Sequence, residues 1–156
     1  MMKEWIERYA QGAEVPANGI RGLTPQDRIA RPVPNTWSIQ EIVLHLMDSD
    51  LIGADRMKRV IAEENPSLIG YNETAFANNL FYHELDAEAA CKIFAMNRWM
   101  TVEILRRLPE SAFARKGIHN EAGEVTLATL LETYVNHLAH HMRFLEQKRA
   151  MLGKPL

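Results

Sequence analysis

One cysteine, Cys91, among 156 residues excludes an internal disulfide and fits a reducing compartment. It falls within a helical pattern, where a small packing residue is a better reading than a nucleophile. Positive charge is not in excess either, with 18 Lys and Arg against 20 Asp and Glu for a net charge of −2. Phosphate binding needs a basic face, so the charge balance argues against nucleic acid as a partner. The clustered cations, Arg106-Arg107 and Lys148-Arg149, sit near expected helix ends, where they complement the helix dipole. No apolar run could span a bilayer, and no basic segment followed by an apolar stretch opens the chain. A cytoplasmic protein with no membrane partner is expected. Internal repeats and low-complexity stretches are absent as well. With 47% hydrophobic and 24% charged residues, the composition is that of a globular protein, and the length suits a single domain over 1–156.

Helical periodicity dominates what is present. Residues 2–12 predict a first helix with an apolar face of Trp5, Ile6, Tyr9 and Ala10. The stretch after it holds Pro16, Gly19 and Gly22, and reads either as a second short helix from Pro16 or as an irregular connection. Thr24-Pro25 and Arg31-Pro32-Val33-Pro34 read as extended punctuation. Ser38 and Glu41 form a capping box, with Trp37 and Ile42 placed as a hydrophobic staple, so a long helix should run from 38 to 64 and stop at Asn65-Pro66. Residues 65–85 predict a long connection with a turn of helix around 74–79. Asp86 should cap a third long helix, 87–108, whose inward face reads Ala90, Ile93, Phe94, Met100, Ile104 and Leu108, interrupted by Asn97. A small hairpin is expected over 113–125, and Thr126 should cap a last helix to about 151. Four amphipathic patterns joined by one long crossing predict an all-α fold, an antiparallel four-helix bundle with a small hairpin before the last helix.

Three of the six histidines fall in the run His137-Leu138-Ala139-His140-His141. Four residues apart, His137 and His141 share a helix face and could reach one metal ion, whereas His140 points away from that face. The pair alone is better read as partly buried, hydrogen-bonded histidines, because two ligands do not make a site. His45 borders the inner face of its own helix and supplies a third imidazole. Three neutral imidazoles suit zinc, nickel or iron and leave positions open for water or substrate. His83 and His119 fall in loop and hairpin regions and read as exposed. Asp50 lies in the middle of an apolar arc, where a carboxylate must have a partner. Acceptance of a ligand imidazole's ring N–H would give it one, with Asn97 or an arginine as the alternative.

The chain resembles the DinB/YfiT-like superfamily. The residues that carry the resemblance are Trp37-Ser38-Ile39, His45-Leu46, Asp48-Ser49, Asn65-Pro66, Tyr71-Asn72-Glu73, Gly123 to Leu127, and His137 to His141. The resemblance implies a metal-binding four-helix bundle, described as a metal-dependent hydrolase, in which His45, His137 and His141 hold a divalent metal. It also implies a small-molecule substrate and, as in several members, transfer of a low-molecular-weight thiol such as bacillithiol or mycothiol. The first helix is shorter and more broken by proline than the resemblance implies. A non-catalytic metal-binding or interaction bundle is the alternative. Trp99 and Phe144 fall off the inner arcs of their helices, which predicts either a homodimer or packing beneath the 65–85 connection.

Overall fold

The computed structural model describes residues 2–156. The chain begins with α1 (Met2–Gln11), a single 3-10 turn, and α2 (Val15–Ile20), which opens on Pro16 in its first turn. These three pieces run on without an intervening loop, so the short first helix becomes a bent rod reaching Ile20. A short helix, α3 (Pro25–Ile29), follows where extended punctuation was expected. Thr24 and Asp27 close a capping box on it, and Asp27 stands where a Glu or Gln is usual, which hid the signal.

The long helix α4 (Ile39–Ala62) starts at the Ser38/Glu41 capping box. After it come β1 (Ser67–Leu68) and α5 (Glu73–Asn79), the latter capped by Asn72. Helix α6 (Ala87–Leu105) is capped by Asp86, and α7 (Leu127–Met151) by Thr126. Between those two helices, β2 (Lys116–His119) and β3 (Gly123–Thr126) form the expected hairpin. β1 pairs in parallel with β2, Ser67 against Ile118, to give a three-stranded sheet ordered β1-β2-β3. Two residues carry no period of their own, which is why β1 had no local signature. None of the described helices is long and apolar enough to cross a membrane.

The bundle is the α1/α2 rod, α4, α6 and α7, with α4 against both α6 and α7. Gly53 lets the Tyr134 ring of α7 lie directly against α4, because a Cβ there would collide with it. The core falls into two apolar halves. Ile42, Leu46, Phe94, Leu138 and Met142 belong to one, and Met57, Val102, Leu105, Leu131 and Tyr134 to the other. Between them lies a buried ionic layer. Arg98 is 1% and Asp50 2% exposed, and they pair at 2.8 Å.

That layer corrects the expected face of α6. Ile93 and Met100 are exposed, and Ala87, Ala90, Cys91, Phe94, Ala95, Arg98, Val102 and Leu105 face inward. Asp50 on α4 needs a cation, and only a rotation of α6 that buries Arg98 supplies one. Cys91 packs in the core as read, and burial pushes its thiol up to about 12, far from the reactive range.

Candidate metal centre

α4 and α7 cross so that three imidazoles meet at their contact. His45, in the second turn of α4, is wholly enclosed, and His137 and His141 approach it from successive turns of α7. Its Nε2 lies 3.0 Å from His137 Nε2 and 3.1 Å from His141 Nε2. Each of the three residues offers a ligand atom, and these atoms lie within 4.8 Å of one another. The rings are edge to face, with the His137 and His141 centroids 4.5 Å apart.

Three neutral imidazoles cannot satisfy one another in this arrangement. A neutral ring carries one N–H, so a single proton can bridge one pair of Nε2 atoms and leaves a lone pair facing another. A cation in the middle would accept all three lone pairs at once. The donor set therefore fits a divalent ion with a preference for nitrogen ligands.

Burial keeps the rings neutral. It is the largest cause that lowers His45 to about 3, followed by repulsion from His141 and His137. His137 falls to about 3, through burial and then the charges of His141, Arg98 and His140. His141 falls to about 4, through burial and then His140. Unprotonated imidazole is the form that binds metal. The same shifts set an acid dependence for the metal-free protein. Its folded rings titrate below the ordinary value near 6.5, so the unfolded chain binds more protons as pH drops through that value. Stability contributed by these rings is full above about pH 6.5 and is lost as pH falls toward 3–4. The thermal midpoint of chelator-treated protein should drop between about pH 7 and pH 5, above the carboxylate range, and His137→Gln should flatten that drop. A midpoint that stays level over this interval would contradict the shifts.

Aromatic and carboxylate groups complete the surroundings. Trp37 packs on the His45 ring at 4.8 Å and stacks on His141 at 6.2 Å and 17°. The Tyr71 hydroxyl lies 3.5 Å from His45 Nδ1, and burial pushes that phenol up to about 12. Glu73, in the first turn of α5, holds a carboxylate oxygen 3.7 Å from His45 Nε2 on the solvent side. Periodicity could not find Tyr71 and Glu73, because they sit in a connection. The Tyr71-Asn72-Glu73 motif was their only signal.

The structure thus brings His45, His137 and His141 together and places the remaining candidates elsewhere. Asp50 accepts hydrogen bonds from Tyr9, Asn97 and Arg98, and no imidazole is among its partners. His140 is exposed beside Arg143 and Phe144. His83 meets Glu41 and Arg31, and His119 accepts from the backbone of the hairpin turn.

A family profile described as the DinB superfamily matches residues 17–145. A candidate metal-dependent hydrolase of Oceanobacillus iheyensis is 25% identical over 144 residues, which span 91% of this chain and 82% of the relative. A second, from Bacillus licheniformis, is 26% identical over 153 residues, 97% of this chain and 87% of the relative. Among solved structures, YfiT from Bacillus subtilis superposes with a TM-score of 0.90 at 22% identity, covering 97% of this chain and 87% of its own. That protein is described as a candidate metal-dependent hydrolase with an unusual four-helix bundle topology.

Proposed function

The chain belongs to the DinB superfamily, and on that premise we propose that it is a metal-dependent enzyme acting on a small electrophile. His45, His137 and His141 hold one divalent ion, with zinc, nickel and iron all suited to three imidazoles. The observation that carries this reading is the contact of three Nε2 atoms at 3.0 and 3.1 Å, which hydrogen bonding alone leaves unsatisfied. When bound, the ion would lower the pKa of a thiol or a water and so supply a nucleophile near neutral pH.

The protein's own groups divide the remaining work. Trp37 closes one side of the imidazole cluster against solvent. The Tyr71 hydroxyl oxygen, 3.5 Å from His45 Nδ1, is placed to accept that ring's N–H when Nε2 serves as a ligand, which sets the tautomer. Glu73 sets a carboxylate beside the cluster, in position to accept a proton from an incoming nucleophile. Only three protein ligands converge among the described residues, which suits an open, catalytic position better than a closed structural site.

Within that class, S-transfer from a low-molecular-weight thiol such as bacillithiol and hydrolysis share these parts, and the three ligands serve either. Metal-loaded protein assayed with bacillithiol, mycothiol and glutathione against a thiol-reactive electrophile distinguishes them. Consumption of one thiol that disappears in His137→Ala supports transfer. Turnover that needs no thiol assigns hydrolysis, and metal binding without either reaction would return the alternative, a non-catalytic bundle. A cytoplasmic setting agrees with the single, buried, unreactive thiol of Cys91.

A homodimer is part of the same proposal. Trp99 is 49% and Phe144 43% exposed, so both stay uncovered within one chain. Ile93, Met96 and Met100 extend the α6 patch around Trp99. Light scattering at micromolar concentration should give about twice the 17.9 kDa of one chain. A mass equal to one chain would refute the dimer.

A further inference from the structure

A cleft of about 270 Å³ shares two walls with the imidazole cluster, Trp37 and His141. Val33, Ile42 and Phe144 supply the rest of its apolar lining, and Thr36, Gln147 and Lys148 its polar lining. Lys148 decides what such a cleft would take. It is 3% exposed, a rare state for a lysine with no counter-ion. Its Nζ donates to Thr36 Oγ1 at 2.6 Å, the one hydrogen-bond partner among the described residues. An ammonium carries three donors, so two remain.

No carboxylate of the described residues lies within ion-pair distance of Lys148. The acid nearest in influence is Glu41, and its carboxylate is already engaged by Arg31, His83 and the Ser38 backbone N–H. Burial accordingly lowers the Lys148 pKa, and the field of Glu41 only partly offsets it. A buried cation beside an apolar cleft is costly unless an anion completes it.

We infer that this cleft is a recognition subsite for a small molecule with an apolar body and a terminal carboxylate, the body between Trp37 and Phe144 and the carboxylate on Lys148 and Thr36. This rests on the reading of the imidazole cluster as a metal centre, because it makes the acid the substrate whose electrophilic part lies toward His141. At about 270 Å³, below the volume of a drug-sized pocket, the cleft holds a body of about one aromatic ring or a short alkyl chain.

The test uses the full chain and two probes, 3-phenylpropionate and the neutral 3-phenylpropionamide, titrated by calorimetry into metal-stripped protein. The acid should bind about tenfold or more tightly than the amide, as expected for a hydrogen bond to a buried charge. Lys148→Met should erase that preference and Lys148→Arg keep it. Circular dichroism on both variants separates loss of binding from loss of fold. If Lys148→Met does not fold, the acid-to-amide ratio in the parent still decides. Equal binding of the two probes, binding of neither at millimolar concentration, or a preference retained in Lys148→Met overturns the inference. A preference for the acid that appears only after metal is restored also overturns it, because the carboxylate would then be on the ion. Elemental analysis of the same preparation before stripping reports the metal reading separately, so either can fail alone.

Discussion

His137→Ala and His141→Ala should each leave a protein that folds but holds no stoichiometric metal, and His140→Ala should keep its full complement. The contrast rests on geometry. His137 and His141 turn their Nε2 atoms onto His45, and His140, adjacent to His141 in sequence, is exposed beside Phe144. Three ligands are the fewest that hold a catalytic ion, so loss of any one removes more than the 10–100-fold typical of a supporting hydrogen bond. His45→Ala should behave alike toward metal but cost more stability, because its ring is wholly enclosed and its removal leaves a cavity. The α7 variants are therefore the cleaner pair. Elemental analysis reads the metal and far-ultraviolet circular dichroism reads the helices. Full metal occupancy in both α7 variants would remove the assignment, and so would loss of metal from His140→Ala.

The parts of this arrangement that were legible in the sequence are those governed by local rules. The Ser38/Glu41 capping box fixed where α4 begins, and the apolar period along it put Ile42, Leu46, Gly53 and Met57 inside. The four-residue spacing of His137 and His141 put both rings on one face of α7, and the border position of His45 turned it toward them. What escaped depended on contacts between distant segments. The period of α6 pointed to Ile93 and Met100 because they are the larger apolar residues, yet both are exposed. Burying Arg98 against Asp50 outweighs their apolar surface, since an unpaired carboxylate in the core costs more than two exposed side chains. Glu73 and Tyr71 reach His45 from a connection, and β1 exists only because β2 lies alongside it. Helical periods carry no record of such pairings.

Arg98→Met should be among the most destabilising single substitutions in the bundle, by about 3–5 kcal/mol. Arg98 donates through Nε and one terminal nitrogen to Asp50 Oδ1, and through its terminal nitrogens to the carbonyl oxygens of Tyr9 and Tyr134. It also lies 4.2 Å over the Tyr9 ring and 4.5 Å over Phe94. One side chain thus ties the first rod, α4 and α7 to α6, at the layer where the two apolar halves meet. Methionine would fill much of the volume but leave the Asp50 carboxylate buried with only Tyr9 and Asn97 as donors. For a chain of this length the thermal midpoint should fall on the order of 10 °C. Removing the charge as well, in Asp50→Asn with Arg98→Met, should recover most of the loss, because the penalty comes from the unpaired ion. Asp50→Asn alone asks how far the network reaches. Tyr134, whose carbonyl Arg98 holds, stands three residues before His137 on α7. If that hold positions the imidazoles, metal affinity should weaken about 10–100-fold in Asp50→Asn. Unchanged metal affinity with lowered stability would make Asp50 the counter-ion of Arg98 and nothing more. An Arg98→Met protein as stable as its parent would remove the ionic layer from the account of the fold.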